Sequence, residues 1–171
     1  SVMKRIQRLR LEEVTPFSGV VGRSGAAKTD WHILCVDGDA AGLQQLHQAV
    51  GTLPESVPIG SVHQAGSLQE ARCLVEVEPV DLIICEFRVQ DGDFLDLVRW
   101  RSFDGDSVPV LVVSEMSDGA TVANALHAGA ADYIPRSALI TPAFLQAISR
   151  CLQRAELSNM LRKSHEHMHS L

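Results

Sequence analysis

The sequence predicts an α/β domain built on a parallel five-stranded sheet with helices on both faces. Two observations carry this. Between Trp31 and Ser137, five short apolar runs alternate with helical segments, and such alternation means parallel βαβ units around one sheet. The third and fourth runs, residues 81–85 and 108–114, are apolar almost throughout, as strands covered on both faces must be.

Taken in order, residues 1–14 set Val2, Ile6 and Leu9 at helical spacing among charged residues, which predicts a short amphipathic helix. Residues 15–30 carry Pro16, Gly19, Gly22 and Gly25 and read as a linker. Strands are expected over 32–36, 57–62, 81–85, 108–114 and 132–134. Helices are expected over 40–50, 67–76, 94–101 and 120–128. Thr141 and Pro142 form an N-cap and first-turn pair that opens a long helix through residue 171. Leu145, Ile148, Leu152 and Ala155 give that helix a first apolar stripe for the sheet. Leu157, Leu161, Ser164, Met168 and Leu171 follow at 4-3-4-3 spacing, the pattern of a coiled-coil seam. The seam is short and contains a serine, so a frayed tail fits it too. The expected division is 1–14, N-terminal helix; 15–30, linker; 31–155, the α/β domain; and 156–171, a helical extension.

Composition narrows the class. Of 171 residues, 46% are apolar and 21% charged, the balance of a globular protein with one real core. No apolar run is long enough to span a bilayer and no secretory leader pattern opens the chain, so no membrane association is expected. Cys35, Cys73, Cys85 and Cys151 form no C-x-x-C pair and read as reduced thiols of a cytoplasmic protein. Residues 1–28 hold six basic and two acidic residues, a net +4, which leaves −10 on the rest of a chain whose total is −6. An acidic body repels nucleic acid, so none is expected as a partner. The chain opens on Ser1, which fits a segment cut from a longer protein.

Ligand chemistry in an open parallel sheet gathers at the carboxyl ends of the strands. The first strand is followed by Asp37-Gly38-Asp39. The third ends in Cys85-Glu86-Phe87 and leads to Asp91-Gly92-Asp93. The fourth ends at Ser114-Glu115, and the fifth reaches Arg136. Acids, a hydroxyl and a cation thus meet at one edge. By residue type this suits a phosphoryl group or a hard cation.

These segments resemble the receiver domain of two-component response regulators. Ile33-Leu34-Cys35-Val36-Asp37 is similar to the family's first strand with its acidic turn. Asp81 to Glu86, with Asp91-Gly92-Asp93, is similar to the phosphoacceptor strand and its loop. Val108 to Ser114 resembles the fourth strand with its switch hydroxyl. Ala125-Leu126-His127-Ala128-Gly129-Ala130 and Asp132-Tyr133-Ile134 resemble the approach to the fifth. The likeness covers residues 31–155. It implies a flavodoxin-like fold with strand order 2-1-3-4-5, five helices, an added N-terminal helix and an extended last helix.

The departures from the family pattern define the expected site. Glu86 stands at the phosphoacceptor aspartate. Gly38 stands at the second acid of the turn, a direct Mg²⁺ ligand in the family. Arg136 replaces the lysine, and Ser137 the proline after it, with Pro135 on the other side. A glutamate carboxylate reaches roughly 1.5 Å further than an aspartate's, and in-line attack tolerates little misplacement. Without a carboxylate at Gly38 the cation loses a ligand, and Asp39 is expected to cap the next helix instead. Arginine keeps the charge but presents a planar fork. A permanent Glu86–Arg136 pair beside Ser114 would imitate the phosphorylated state. Asp37 reads as a residual acid. Tyr133 holds the family's rotating aromatic position, or simply packs.

The resemblance therefore implies a degenerate receiver: not an enzyme, with no cofactor, no metal and Mg²⁺ weakly held at most. It would act as a protein-interaction module and as a homodimer through its terminal helices, by way of Leu157, Leu161, Met168 and Leu171. The run from Asp132 through Leu139-Ile140-Thr141-Pro142 into a long helix resembles receivers that precede cyclic-di-GMP synthesising or hydrolysing domains. The alternative is a working receiver that accepts phosphate from a histidine kinase. A flavodoxin-type small-molecule binder lacks its phosphate loop here. His165 and His169 share a helix face and suit either a metal pair or a solvated tail.

Overall fold

The computed structural model of the protein describes residues 30–103 and 108–170. The expected N-terminal helix, the linker up to residue 29, Leu171, and the side chains of His167 and His169 lie outside the described residues.

The chain runs β1 (Trp31–Val36), α1 (Ala40–Val50), β2 (Ile59–Ala65), α2 (Leu68–Val77) and β3 (Leu82–Glu86). It continues through β4 (Arg88–Val89), β5 (Gly92–Asp93), α3 (Phe94–Phe103) and β6 (Val110–Ser114). Then come α4 (Gly119–His127), β7 (Asp132–Pro135), a 3₁₀ turn (Arg136–Ala138) and α5 (Pro142–Ser170). Five strands form one parallel sheet in the order β2-β1-β3-β6-β7. Counting those five alone, this is the expected flavodoxin-like order 2-1-3-4-5.

Alternation along each inner strand sends side chains to two faces. Ile33, Cys35, Ile84, Leu111 and Val113 pack with Leu46, Phe144, Ile148 and Leu152 of α1 and α5. Leu34, Val36, Ile83, Cys85 and Val112 pack on the other face with Leu68, Phe94, Leu97 and Ala125 of α2, α3 and α4. Along α5, Phe144, Ala147, Ile148, Cys151, Leu152 and Ala155 are buried. The stripe is thus wider than the one read from Leu145, Ile148, Leu152 and Ala155. Beyond Ala155 the helix leaves the body, and Leu157, Met160, Leu161 and Met168 are 59–72% exposed.

Prolines correct two strand starts. β2 begins at Ile59, not residue 57, because the Val57 N–H donates to the Pro54 carbonyl in a turn and Pro58 has no N–H to give. It runs on to Ala65 because an edge strand, half exposed, tolerates His63 and Gln64. β6 likewise begins after Pro109, whose carbonyl still accepts from Ile83 N.

The β4–β5 pair was not expected from the sequence. Its turn needs Gly92, which has φ +151° and whose Cβ, if present, would lie 2.3 Å from Asp96 Oδ2 and 2.7 Å from Leu68 Cδ1. The residue before it ties the loop down. Asp91 accepts from Leu68 N (2.8 Å) and Gln69 N (3.1 Å), so it caps α2 from across the chain, beside the local cap Ser67. The backbone bond from Leu68 foremost, with that from Gln69, lowers the Asp91 pKa.

The lowered pKa sets a pH signature. A depressed carboxylate adds stability above its unfolded pKa, about 3.9, and loses it as pH falls through the folded value. Asp91→Asn keeps one acceptor but loses the other and the charge at the helix start, so on so exposed a group it should cost about 0.5 kcal/mol at neutral pH. The deficit should shrink as pH falls below about 4. Urea unfolding at pH 7 and pH 3 checks both, and an equal deficit at the two values would contradict it.

Candidate functional site

The carboxyl edge of the sheet gathers the site. Asp37 follows β1 and keeps the ladder going, its N–H donating to the Ala65 carbonyl (3.1 Å). Glu86 ends β3, opposite Val113 of β6. Ser114 ends β6, and Arg136 follows β7. Asp37, Asp39, Glu86, Ser114, Glu115 and Arg136 line one open cleft of about 470 Å³.

Arg136 organises it. Its Nη2 donates to Glu86 Oε2 (2.5 Å) and to Asp37 Oδ2 (2.6 Å), and its Nη1 donates to Gln45 Oε1 (2.8 Å). The second oxygens are taken as well. Asp37 Oδ1 accepts from Asp39 N (3.0 Å), and Glu86 Oε1 from Phe87 N (3.1 Å). The guanidinium, Asp37 and Glu86 keep only 14%, 6% and 19% of their side-chain surface exposed. Burial works against the charge on Arg136. Its hydrogen bond to Glu86, the charges of Glu86 and Asp37, and the bond to Asp37 outweigh that, and its pKa is raised.

The other expected positions fall around this cluster. Asp39 caps α1, accepting from Ala41 N. Gly38 lies under the loop after β3: its carbonyl accepts from Gln90 Nε2 (3.4 Å), and a Cβ there would meet Gln90 Cγ at 3.2 Å. Ser114 is buried and accepts from Met116 N (3.1 Å). Tyr133 is also buried, edge-on to Phe87, with its hydroxyl donating to the Met116 carbonyl (2.6 Å). Leu157, Leu161 and Met168 stand apart, along the outer half of α5.

Three residues of the site were not read from the sequence. Gln45 and Gln90 are neutral amides far along the chain from Arg136 and Gly38, and carry no sequence signal. Gly42 does carry one: a glycine inside a helix costs about 1 kcal/mol against alanine, so it needs a reason. The reason is Asp37, whose Oδ2 would sit 2.1 Å from a Cβ at position 42.

Mg²⁺, the ion that the resemblance implies, does not fit this donor set. One oxygen each of Asp37 and Glu86 is held by the guanidinium, and Gly38 offers no carboxylate. Among the described residues no group of three or more His, Cys, Asp or Glu is placed to hold a metal ion. Cys85 is no nucleophile either. Burial first, then the charges of Glu86, Asp37 and Asp93, push its thiol pKa up, and a thiol attacks only as thiolate. Burial likewise pushes Cys35 up to about 12.

The family model of the response regulator receiver domain matches residues 33–148. The chain belongs to this family. The receiver is similar to the response regulator protein PilR of Pseudomonas aeruginosa, 35% identical over 72 residues, 42% of this chain and 16% of PilR. It is similar to the acid tolerance regulatory protein ActR of Rhizobium meliloti, 28% identical over 127 residues, 74% of this chain and 63% of ActR. It thus spans less than two thirds of either relative. Among solved structures, the signal receiver domain of an HD domain-containing protein from Pseudomonas fluorescens shares the fold. The TM-score is 0.64 at 21% identity, over 82% of this chain and 99% of that one. Among the described residues of this receiver, no helix is long and apolar enough to cross a membrane.

Gly42→Ala separates helix propensity from the site. Propensity alone would stabilise α1 by up to about 1 kcal/mol. The added methyl must instead push Asp37 off Arg136 and Asp39. The net effect should be a loss of about 1–3 kcal/mol, the range of overpacking. Chemical denaturation of the variant decides the sign, and a gain in stability would show that Asp37 moves freely.

Proposed function

We propose that this receiver does not take phosphate and acts as a protein-interaction and dimerisation module for a downstream output domain. One observation supports this above the others: the carboxylate at the phosphoacceptor's position, Glu86, is bound through both oxygens, to Arg136 and to Phe87 N. With one bond on each oxygen and a guanidinium neutralising its charge, this carboxylate is a weakened nucleophile toward an incoming phosphorus. The donor set that would hold Mg²⁺ against a phosphodonor is engaged by the same guanidinium. Ser114 and Tyr133 then act as fixed contacts, not as parts that move with phosphate.

The output reading rests on sequence resemblance: cyclic-di-GMP turnover, in the cytoplasm. The relatives' names, response regulator and acid tolerance regulator, also suit a regulatory role. Dimerisation rests on α5. Its outer half leaves Leu157, Met160, Leu161 and Met168 59–72% exposed, and a helix of that length is marginal alone in water. Burying Leu157, Leu161 and Met168 against a second copy would return roughly 1.5–3 kcal/mol per fully buried side chain. A parallel pair would send both outputs the same way.

The chemistry is tested with Mg²⁺ and a small phosphodonor such as acetyl phosphate, followed by intact mass. No stable phosphoryl gain is expected. A gain that disappears in Glu86→Gln would instead establish the working receiver that accepts phosphate from a histidine kinase.

Assembly is read by light scattering of the full chain, of Leu161→Asp, and of a chain ending at Glu156. A dimer is expected for the first and monomers for the other two. Monomeric full-length protein at tens of micromolar would exclude this interface. A dimer that survives both changes would move it to the receiver body. In the full-length polypeptide, Leu161→Asp should change the rate of cyclic-di-GMP turnover; no such activity would remove the output reading.

A further inference from the structure

We infer that Arg136 is the site's built-in cation: its guanidinium takes the carboxylate oxygens a divalent ion would need, so ion binding at Asp37 and Glu86 is displaced by this arginine. The inference deepens the proposed function, since it concerns the same site and rests on its reading as a receiver that works without phosphate.

Three observations carry it. First, one nitrogen, Nη2, lies 2.5 Å from Glu86 Oε2 and 2.6 Å from Asp37 Oδ2. The carboxylates of β1 and β3 converge on a single positive point, as they would on an ion. Second, the fork is fixed on its other side by Gln45 on α1, through Nη1 at 2.8 Å. A guanidinium anchored at both ends is positioned, not adventitious. Third, the turn has closed where an ion's third protein carboxylate would enter. Gly38 has none, and Gln90 lies across it.

Charge makes the exchange reciprocal. Two carboxylates with 6% and 19% of their side-chain surface exposed repel each other when both are ionised, and a cation between them relieves that. With Arg136 in place the relief is internal. With Arg136 removed, the same pair becomes a two-carboxylate site, and a hard divalent ion is the small cation that suits oxygen ligands. Gln45 is then a positioning residue for the arginine, not an ion ligand.

The test is stabilisation by Mg²⁺ alone, with no phosphodonor present. Thermal unfolding of the full chain is followed across a Mg²⁺ titration for wild type, Arg136→Gln, and Arg136→Gln with Glu86→Gln. Wild type should show no shift beyond that given by matched ionic strength. Arg136→Gln should melt lower and recover by roughly 3–6 °C at an ion concentration about ten times its dissociation constant. The double variant should lose that recovery. Should Arg136→Gln fail to fold, Arg136→Lys replaces it. An ammonium has no second nitrogen to hold on Gln45 while the first sits between the acids, so it is placed less firmly and a Mg²⁺ shift larger than wild type's is expected there. A wild-type shift as large as the variant's would overturn the inference. So would an Arg136→Gln protein, or its lysine substitute, that ignores Mg²⁺. Because no phosphoryl group is involved, this result stands or falls separately from the phosphodonor experiment.

Discussion

The contact on which the site depends is the two-carboxylate grip on Arg136. It joins the ends of β1, β3 and β7, three strands that reach one edge from positions far apart in the chain. Parallel strands end without hairpins, so nothing covalent holds their carboxyl ends together. A shared guanidinium does so electrostatically, and Gln45 extends the tie to α1. Desolvation is the opposing term. It acts on all three charged groups, and a buried pair gives little net stability when desolvation is counted. What the arrangement gives instead is a definite geometry. Breaking it leaves uncompensated charge, so alternatives to it are costly.

That geometry governs its neighbours by contact. Asp37 can lie where it does only because Gly42 has no side chain. Glu86 turns its second oxygen to Phe87 N, and the Phe87 ring meets Phe94 at 5.1 Å and Tyr133 at 6.4 Å, edge-on in both cases. The residue next to the ionic cluster therefore begins the aromatic packing of the opposite sheet face. The Cys85 thiol, next to Glu86 in the chain, is kept protonated by burial and by the same acids.

Much of this was legible in the sequence, and the gaps have physical causes. The inner strands were clear because a run buried on both faces has no competing pattern. The starts of β2 and β6 were not, because apolar Val57 and Val108 sit beside Pro58 and Pro109, and a proline cannot donate to the ladder. The β4–β5 turn escaped notice because two-residue strands have no periodicity. At the site, the charged partners of Arg136 were visible as strand-end acids, but Asp37 read as a residual acid, whereas its Oδ2 lies 2.6 Å from the guanidinium that also holds Glu86. Asp39 was legible as the cap of α1 since a short acid before a helical run has one common use. Gln45 and Gln90 were invisible because a glutamine's partner is set by tertiary placement, not by local pattern.

The last strand connects the cluster to the long helix. Within β7 and the residue after it lie three ties of different kinds. Asp132 accepts from Arg150 of α5 through Nε (2.9 Å) and Nη2 (2.5 Å). Tyr133 donates to the Met116 carbonyl in the loop before α4. Arg136 holds the two acids. The Arg150 pair is exposed on its arginine side and is worth little energetically, but it fixes orientation where α5 crosses the strand. The Tyr133 bond, by contrast, is half-buried and ties down a loop that Ser114 also holds through Met116 N. Since β7 has a neighbour on one side only, side-chain ties replace the missing ladder. An edge strand restrained at three points within five residues carries the position of Arg136 directly into the base of α5, along whose outer half Leu157, Leu161 and Met168 stay exposed.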